Sequence, residues 1–352
     1  MMRSLTISLL CMAAATSALA QTGGEIGRPL PPWAPGTLDI HQISTGRGNA
    51  AFFILPDGTT LLVDAGAAGN GIPETDPHPD ASRSPGAWIV RYIQRHLPQG
   101  VTDLDYALIT HFHADHMGQL IAASPLDHTG AYRLTGITEV ADALSIHVLL
   151  DRGWPDYSYP TPFRDETMAN YRRFLEARQR SGMTIERLKP GSLAQIHLQR
   201  EASKYPTFEI RNIIANGVMW TGSGDATREL FPPLDSLPPP DLPNENMCSA
   251  GVRLAYGRFA RDPKGAHRDL SENANLAGIR AQHAARHDPP RSIQCRFGCT
   301  PGESVRYGVG GRLDFCKRRG RSAKTRRPTK RPQLEENRRG GLTIRPRSSP
   351  QG

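Results

Sequence analysis

Three imidazoles and one carboxylate crowd into six residues at His111, His113, Asp115 and His116. Imidazole nitrogen and carboxylate oxygen are the donors that zinc accepts at ~2.0–2.2 Å. His111 and His113 are two apart, so at the extended end of a strand their side chains point the same way. Asp115 and His116 are expected in the first turn of a helix, where the chain reverses, and the two pairs can then converge on one small volume. The expected chemistry is that of a divalent cation, zinc, as one or two ions. A lone histidine is more often a surface group or a satisfied core group. The crowding of four donors is what argues otherwise here.

The flanking pattern supplies elements that can hold these groups. Tyr106-Ala107-Leu108-Ile109 is an apolar strand running directly into the histidines. Upstream, Thr37–Ile43 and Ala50–Leu55 read as strands, and Pro56-Asp57-Gly58 as the turn before a strand over Thr60–Asp64. Ser84-Pro85 predicts a capped helix start, with Trp88, Ile89, Tyr92 and Ile93 on its apolar face. A short helix is expected over Gly118–Ala123, and a longer one over Asp165–Arg180 that buries Met168, Tyr171, Phe174 and Leu175. Phe208–Ile214 and Gly217–Trp220 predict a hairpin. Phe231–Pro243 contains six prolines and must be an extended loop. Val252, Leu254 and Tyr256 alternate as a late strand. After Phe259 the only periodicity is a weak helix over Leu276–Arg286.

The ends of the chain differ in kind from its middle. Residues 1–20 read as an export signal: Arg3 is positive, Leu5–Ala14 is apolar, and Ala18-Leu19-Ala20 offers a cleavage site before Gln21. The apolar run is shorter than the ~20 residues that a spanning helix needs. The expectation is a periplasmic or secreted protein with no stable membrane insertion after cleavage. Residues 21–36 form an irregular lead-in rich in Gly and Pro. The formal net charge of +9 is unevenly spread: residues 261–352 hold 22 Lys and Arg against 8 Asp and Glu, leaving 21 basic and 26 acidic residues before them. The reading is therefore a folded domain over 37–259 and a basic, low-order tail over 260–352. Cys248, Cys295, Cys299 and Cys316 would survive cleavage and permit three disulfide pairings. Cys295 and Cys299 are spaced loosely like metal ligands, but no second pair accompanies them.

His-x-His-x-Asp-His after an apolar strand resembles the signature of metallo-β-lactamase-fold hydrolases. Leu61-Leu62-Val63-Asp64-Ala65-Gly66 resembles the second marker of that superfamily. Thr45-Gly46-Arg47-Gly48-Asn49-Ala50 resembles the opening loop of its ComEC-like branch, which more often has Asp where this chain has Asn49. Asn246-Met247-Cys248-Ser249, followed by Val252-Arg253-Leu254 and Tyr256-Gly257, resembles a later strand of that branch. The resemblance covers about residues 37–259. It implies an α/β fold, the four-layer αββα sandwich, incomplete in this chain. It also implies hydrolysis by a water that the cation acidifies, with Asp115 orienting that water and Asp64 orienting a ligand histidine. Relatives cleave lactams, thioesters, phosphodiesters and lactones. The branch inclines the reading toward a phosphodiester among small-molecule and nucleic-acid substrates.

The pattern then breaks. The superfamily adds a bridging Gly-Asp after the late strand and a closing histidine near its end, and neither follows Phe259 here. Three explanations compete: a change of reading frame near residue 259, substitute ligands at His283 and His287, or a basic tail that binds nucleic acid or another anionic surface. Asp225 and His147 are weaker candidate ligands. Two alternative functions follow, a catalytically incomplete protein and a nucleic-acid binder acting through its tail.

Overall fold

The computed structural model describes residues 30–69 and 77–257, together with the backbone of Ser304–Val309. Its centre is a seven-stranded sheet. β1 (Thr37–Gln42), β2 (Ala51–Ile54) and β3 (Thr60–Val63) run antiparallel in succession. β4 (Leu104–Leu108), β5 (Ile146–Asp151) and β6 (Thr184–Arg187) continue it in parallel. A late strand, Ser304–Val309, lies parallel to β1 at the opposite edge. The sequence shows no strand period in that region.

Short apolar runs become strands here because both faces of the sheet are covered. Phe52, Ile54 and Leu62 point to one side, and Ala51, Phe53, Leu61 and Val63 to the other. The first side is closed by α1 (Pro85–His96), α3 (Ile137–Ala143) and α4 (Glu166–Arg180), which contribute Ile89, Ile93, Ile137, Val140, Phe174 and Leu175 to one core. The second side is closed by a four-stranded sheet of β7 (Glu209–Ala215), β8 (Val218–Trp220), β9 (Thr227–Glu229) and β10 (Gly251–Ala255), in the order β10-β7-β8-β9. Ile210, Ala215, Val252 and Leu254 fill that second core. Each fully buried aliphatic or aromatic side chain contributes ~1.5–3 kcal/mol. The described residues thus form three layers of the expected sandwich, helices, sheet and sheet, and all four of their α-helices bury residues in the first core. Among these residues no helix is long and apolar enough to cross a membrane.

Local signals explain most boundaries. Ser84 accepts a hydrogen bond from the Ala87 amide, with Pro85 opening α1. Its buried stripe is Gly86, Ile89, Val90 and Ile93, so Trp88 and Tyr92 are only half-buried, and the apolar face is rotated from the one expected. Asp165 caps α4 through the Met168 amide, and Met168, Tyr171, Phe174 and Leu175 face inward. The helix expected over Gly118–Ala123 does not form. A single turn, α2 (Ala114–Met117), precedes it and stops at Gly118, whose φ of 99° leaves the helical region.

Candidate metal centre

β4 delivers the histidines. Its apolar run passes through Ile109, whose amide bonds to the Leu150 carbonyl, and the chain then leaves the sheet at Thr110. Asp64, at the end of neighbouring β3, organises the exit. Its carboxylate is 1% exposed and accepts from the Thr110 amide at 2.8 Å, the Thr110 hydroxyl at 2.8 Å and His116 Nδ1 at 2.8 Å. A carboxylate can only accept, so Nδ1 of His116 carries a proton, while Nε2 is turned toward Asp115 and Asn49. Burial pushes the Asp64 carboxyl up, opposed by His116 and Thr110.

The four side chains come together as two pairs. His111 Nε2 and His113 Nδ1 are 3.1 Å apart, and His116 Nε2 and Asp115 Oδ2 are 3.3 Å apart. Two donors on one tetrahedral zinc at ~2.0–2.1 Å are separated by ~3.3 Å, so each pair has the spacing of ligands that share an ion. The His111 ring lies 4.0 Å from His116 and 4.8 Å from His113, centroid to centroid, but no three ligand atoms of the four residues gather within 4.8 Å of one another, so the pairs stay separate. His111 and His116 are buried, whereas His113 and half of the Asp115 side chain face solvent, which leaves one open side. Burial, reinforced by the other two imidazoles, lowers His111 to about 3. Burial also works against a charged His116, but its hydrogen bonds to Asp115 and Asp64 outweigh this and raise it to about 9. The same bond from His116 holds Asp115 at about 2.

The loop before β2 wraps the Asp115 turn. The Asn49 amide donates to the Asp115 carbonyl at 2.7 Å, Gly66 donates to the Asn49 carbonyl at 2.9 Å, and Ala65 donates to the His116 carbonyl at 2.8 Å. This approach requires glycine. A Cβ on Gly66 would lie 2.1 Å from the Asp115 carbonyl oxygen, and one on Gly48 2.4 Å from the same atom. Because the obstacle is backbone, Gly66→Ala is expected to cost more than ~3 kcal/mol, above ordinary overpacking. A urea midpoint equal to wild type would show that the loop is not clamped as described. Asn49 also places its side-chain amide 3.1 Å from His116 Nε2.

This geometry lies within the segment of the chain that known proteins resemble. Residues 44–123 match the family model described as the metallo-beta-lactamase superfamily. That stretch includes His111, His113, Asp115 and His116 and is similar to the superfamily over those residues. No curated protein matches the chain. Among solved structures, the chain is similar to CmlA, a diiron beta-hydroxylase from Streptomyces venezuelae, at 15% identity over 71% of this chain and 34% of that chain, with a TM-score of 0.29. A point mutant of CmlA gives the same identity, coverage and score. The chain thus spans about a third of the length of these structures.

The other candidate residues lie away from these two pairs. His147 is near the start of β5, at the opposite strand end, 3.7 Å from Asp103 and 3.9 Å from Asp105. Asp225 is exposed and paired with Arg211 at 3.1 Å. Cys248 is a buried free thiol. His283, His287, Cys295, Cys299 and Cys316, like the export segment 1–20, fall outside the described residues. A cluster not anticipated from the sequence brings ligand atoms of Asp127, His128 and Asp142 within 4.8 Å of one another. Part of its acceptor capacity is already used. Both Asp127 oxygens take hydrogen bonds from Thr129, Ala131 and Tyr132, and Arg178 donates to Asp142 at 3.0 Å.

Two further residues bear on the histidine segment and were missed in the sequence. Glu245 accepts a hydrogen bond from the Phe112 amide at 2.8 Å, and the fully buried Arg152 holds Glu245 in place. Arg152 directly follows a buried parallel strand, at the same sheet edge as the histidines, which is the one signal available. Nothing local marks Glu245.

Proposed function

We propose that this protein is a metal-dependent hydrolase that holds a zinc ion with His111 and His113 and a second ion with Asp115 and His116. The carrying observation is the 3.1 Å separation of His111 Nε2 and His113 Nδ1 on a rigid strand end. The donor set of imidazoles and a carboxylate suits zinc. When bound, such an ion polarises a carbonyl or phosphoryl oxygen and acidifies water. The protein's own groups supply the rest. Asp115, half exposed and beside the pair, orients water at the open side. Asp64 fixes the His116 tautomer, and the buried wall of His111 and Phe112 excludes water from behind.

A phosphodiester is the favoured substrate class, on the resemblance to the ComEC-like branch. Export through residues 1–20 belongs to the same proposal, and the mature protein recovered from culture should begin at Gln21. The test is to load purified full-length protein with zinc and assay a phosphodiester, a thioester, a lactone and a lactam side by side. Turnover of the phosphodiester with about two bound ions supports the proposal; stoichiometric zinc without turnover of any substrate refutes it. One observation favours a second reading, that of a catalytically incomplete protein: each pair offers two donors, whereas catalytic zinc sites keep three protein ligands. Weak zinc binding with no turnover would establish that reading. A nucleic-acid role for the basic tail predicts salt-sensitive DNA retention that is lost when residues 261–352 are deleted.

A further inference from the structure

Both peptide groups that flank His111 are fastened to one distant segment. The Thr110 carbonyl accepts from the Ala250 amide at 2.7 Å, and the Phe112 amide donates to Glu245 Oε1 at 2.8 Å. Glu245 is 11% exposed and is itself clamped by Arg152, whose side chain is completely buried. Arg152 Nε donates to Glu245 Oε1 at 2.9 Å, and its Nη2 pairs with the other carboxylate oxygen. The remaining nitrogen of the fork, Nη1, donates to Asn216 Oδ1 at 2.9 Å and to the Tyr159 carbonyl at 3.1 Å. The guanidinium lies over the Phe112 ring at 4.7 Å, so one cation holds both the side chain of Phe112 and the acceptor of its amide.

A buried ion pair is a weak device for stability, because apolar residues of like volume often serve as well or better. A carboxylate oxygen delivered to a specific backbone amide is something that apolar residues cannot supply. We infer that Glu245, locked by Arg152, is a positioning residue that sets the aim of His111 and His113 toward the cation. This inference rests on the reading that those two histidines hold it. Glu245 touches no reacting atom; it fixes the peptide between the two ligands, and through it their separation.

The test measures zinc affinity of full-length protein by competition with a chromophoric chelator, alongside the urea midpoint of the metal-free form. Replacing the pair together, Arg152→Met with Glu245→Met, is expected to lower the midpoint modestly, because the Phe112 amide loses its acceptor, and to weaken zinc binding about tenfold or more, as loss of an outer partner does. Glu245→Gln keeps an oxygen for the Phe112 amide and should bind zinc within about threefold of wild type on the same scale. A double variant with wild-type zinc affinity would overturn the inference and leave the pair a structural element only. If that variant does not fold, amide exchange in the wild type decides: zinc should slow exchange at Phe112, and an unchanged rate overturns the inference. His111→Ala serves as the control for the underlying reading. Loss of zinc there with an unaffected double variant refutes only the positioning role, whereas zinc retained by His111→Ala refutes the site.

Discussion

His111→Ala should abolish both tight zinc binding and hydrolysis while leaving the fold intact. His111 belongs to its pair by the 3.1 Å contact of its Nε2 with His113. Its loss removes one donor of a pair that has only two. The affinity loss should therefore exceed the ~10–100-fold that accompanies loss of an outer hydrogen-bond partner. The backbone around residue 111 is bonded through Thr110 and Phe112, neither of which needs the imidazole, so the metal-free protein should unfold within ~1–3 kcal/mol of wild type. Metal content after dialysis and the urea midpoint are the two measurements. Zinc retained at wild-type stoichiometry by a folded variant would remove the basis of the site.

Asp64→Asn is expected to have the second-largest effect, and it isolates hydrogen-bond chemistry from backbone strain. Asp64 sits at a φ of 61°, a conformation that Asn adopts about as readily, so the chain path is preserved. What changes is the acceptor inventory. The carboxylate takes three hydrogen bonds, from the Thr110 amide, the Thr110 hydroxyl and His116 Nδ1. An amide keeps one oxygen and turns an NH2 toward donors. His116 then loses the partner that fixes its tautomer, and the ring no longer reliably turns Nε2 toward Asp115. Zinc affinity should fall ~10–100-fold. Leaving buried donors unpaired should cost a further ~1–3 kcal/mol of stability. If both quantities stay at wild type in Asp64→Asn, Asp64 is only a turn residue.

The pairing of His111 with His113 and of Asp115 with His116 was legible in the sequence because its geometry is local. His111 and His113 are related by strand periodicity, and Asp115 and His116 by one turn, so the motif carries its own placement. Asp64 was legible only through the resemblance of Leu61–Gly66 to the second superfamily marker, which implied that it orients a histidine. The α1 start followed from Ser84 and Pro85, whose cap depends on a neighbour three residues away, and α4 from the spacing of its buried side chains. α3 was missed because Ile137, Thr138 and Val140 are β-branched and favour a strand. Packing of Ile137, Val140 and Ala141 into the helical core decides otherwise. The helix expected after Gly118 failed because that glycine takes a positive φ and the next amide, Gln119, turns to the Ala67 carbonyl. Arg152 and Glu245 were invisible because their partnership joins two sheets across a long stretch of chain. No spacing rule reports a contact of that kind.

The bond between the Ala250 amide and the Thr110 carbonyl ties a strand of the smaller sheet to the mouth of the larger one. Anything that binds at the mouth in the native state therefore also resists the parting of the two layers. With free zinc at about a hundred times its dissociation constant, that resistance amounts to ~2.7 kcal/mol. A chelator should accordingly lower the melting temperature of the whole domain and not merely empty a surface cleft. Thermal denaturation read against zinc concentration would then serve as a gauge of how firmly the sandwich is shut.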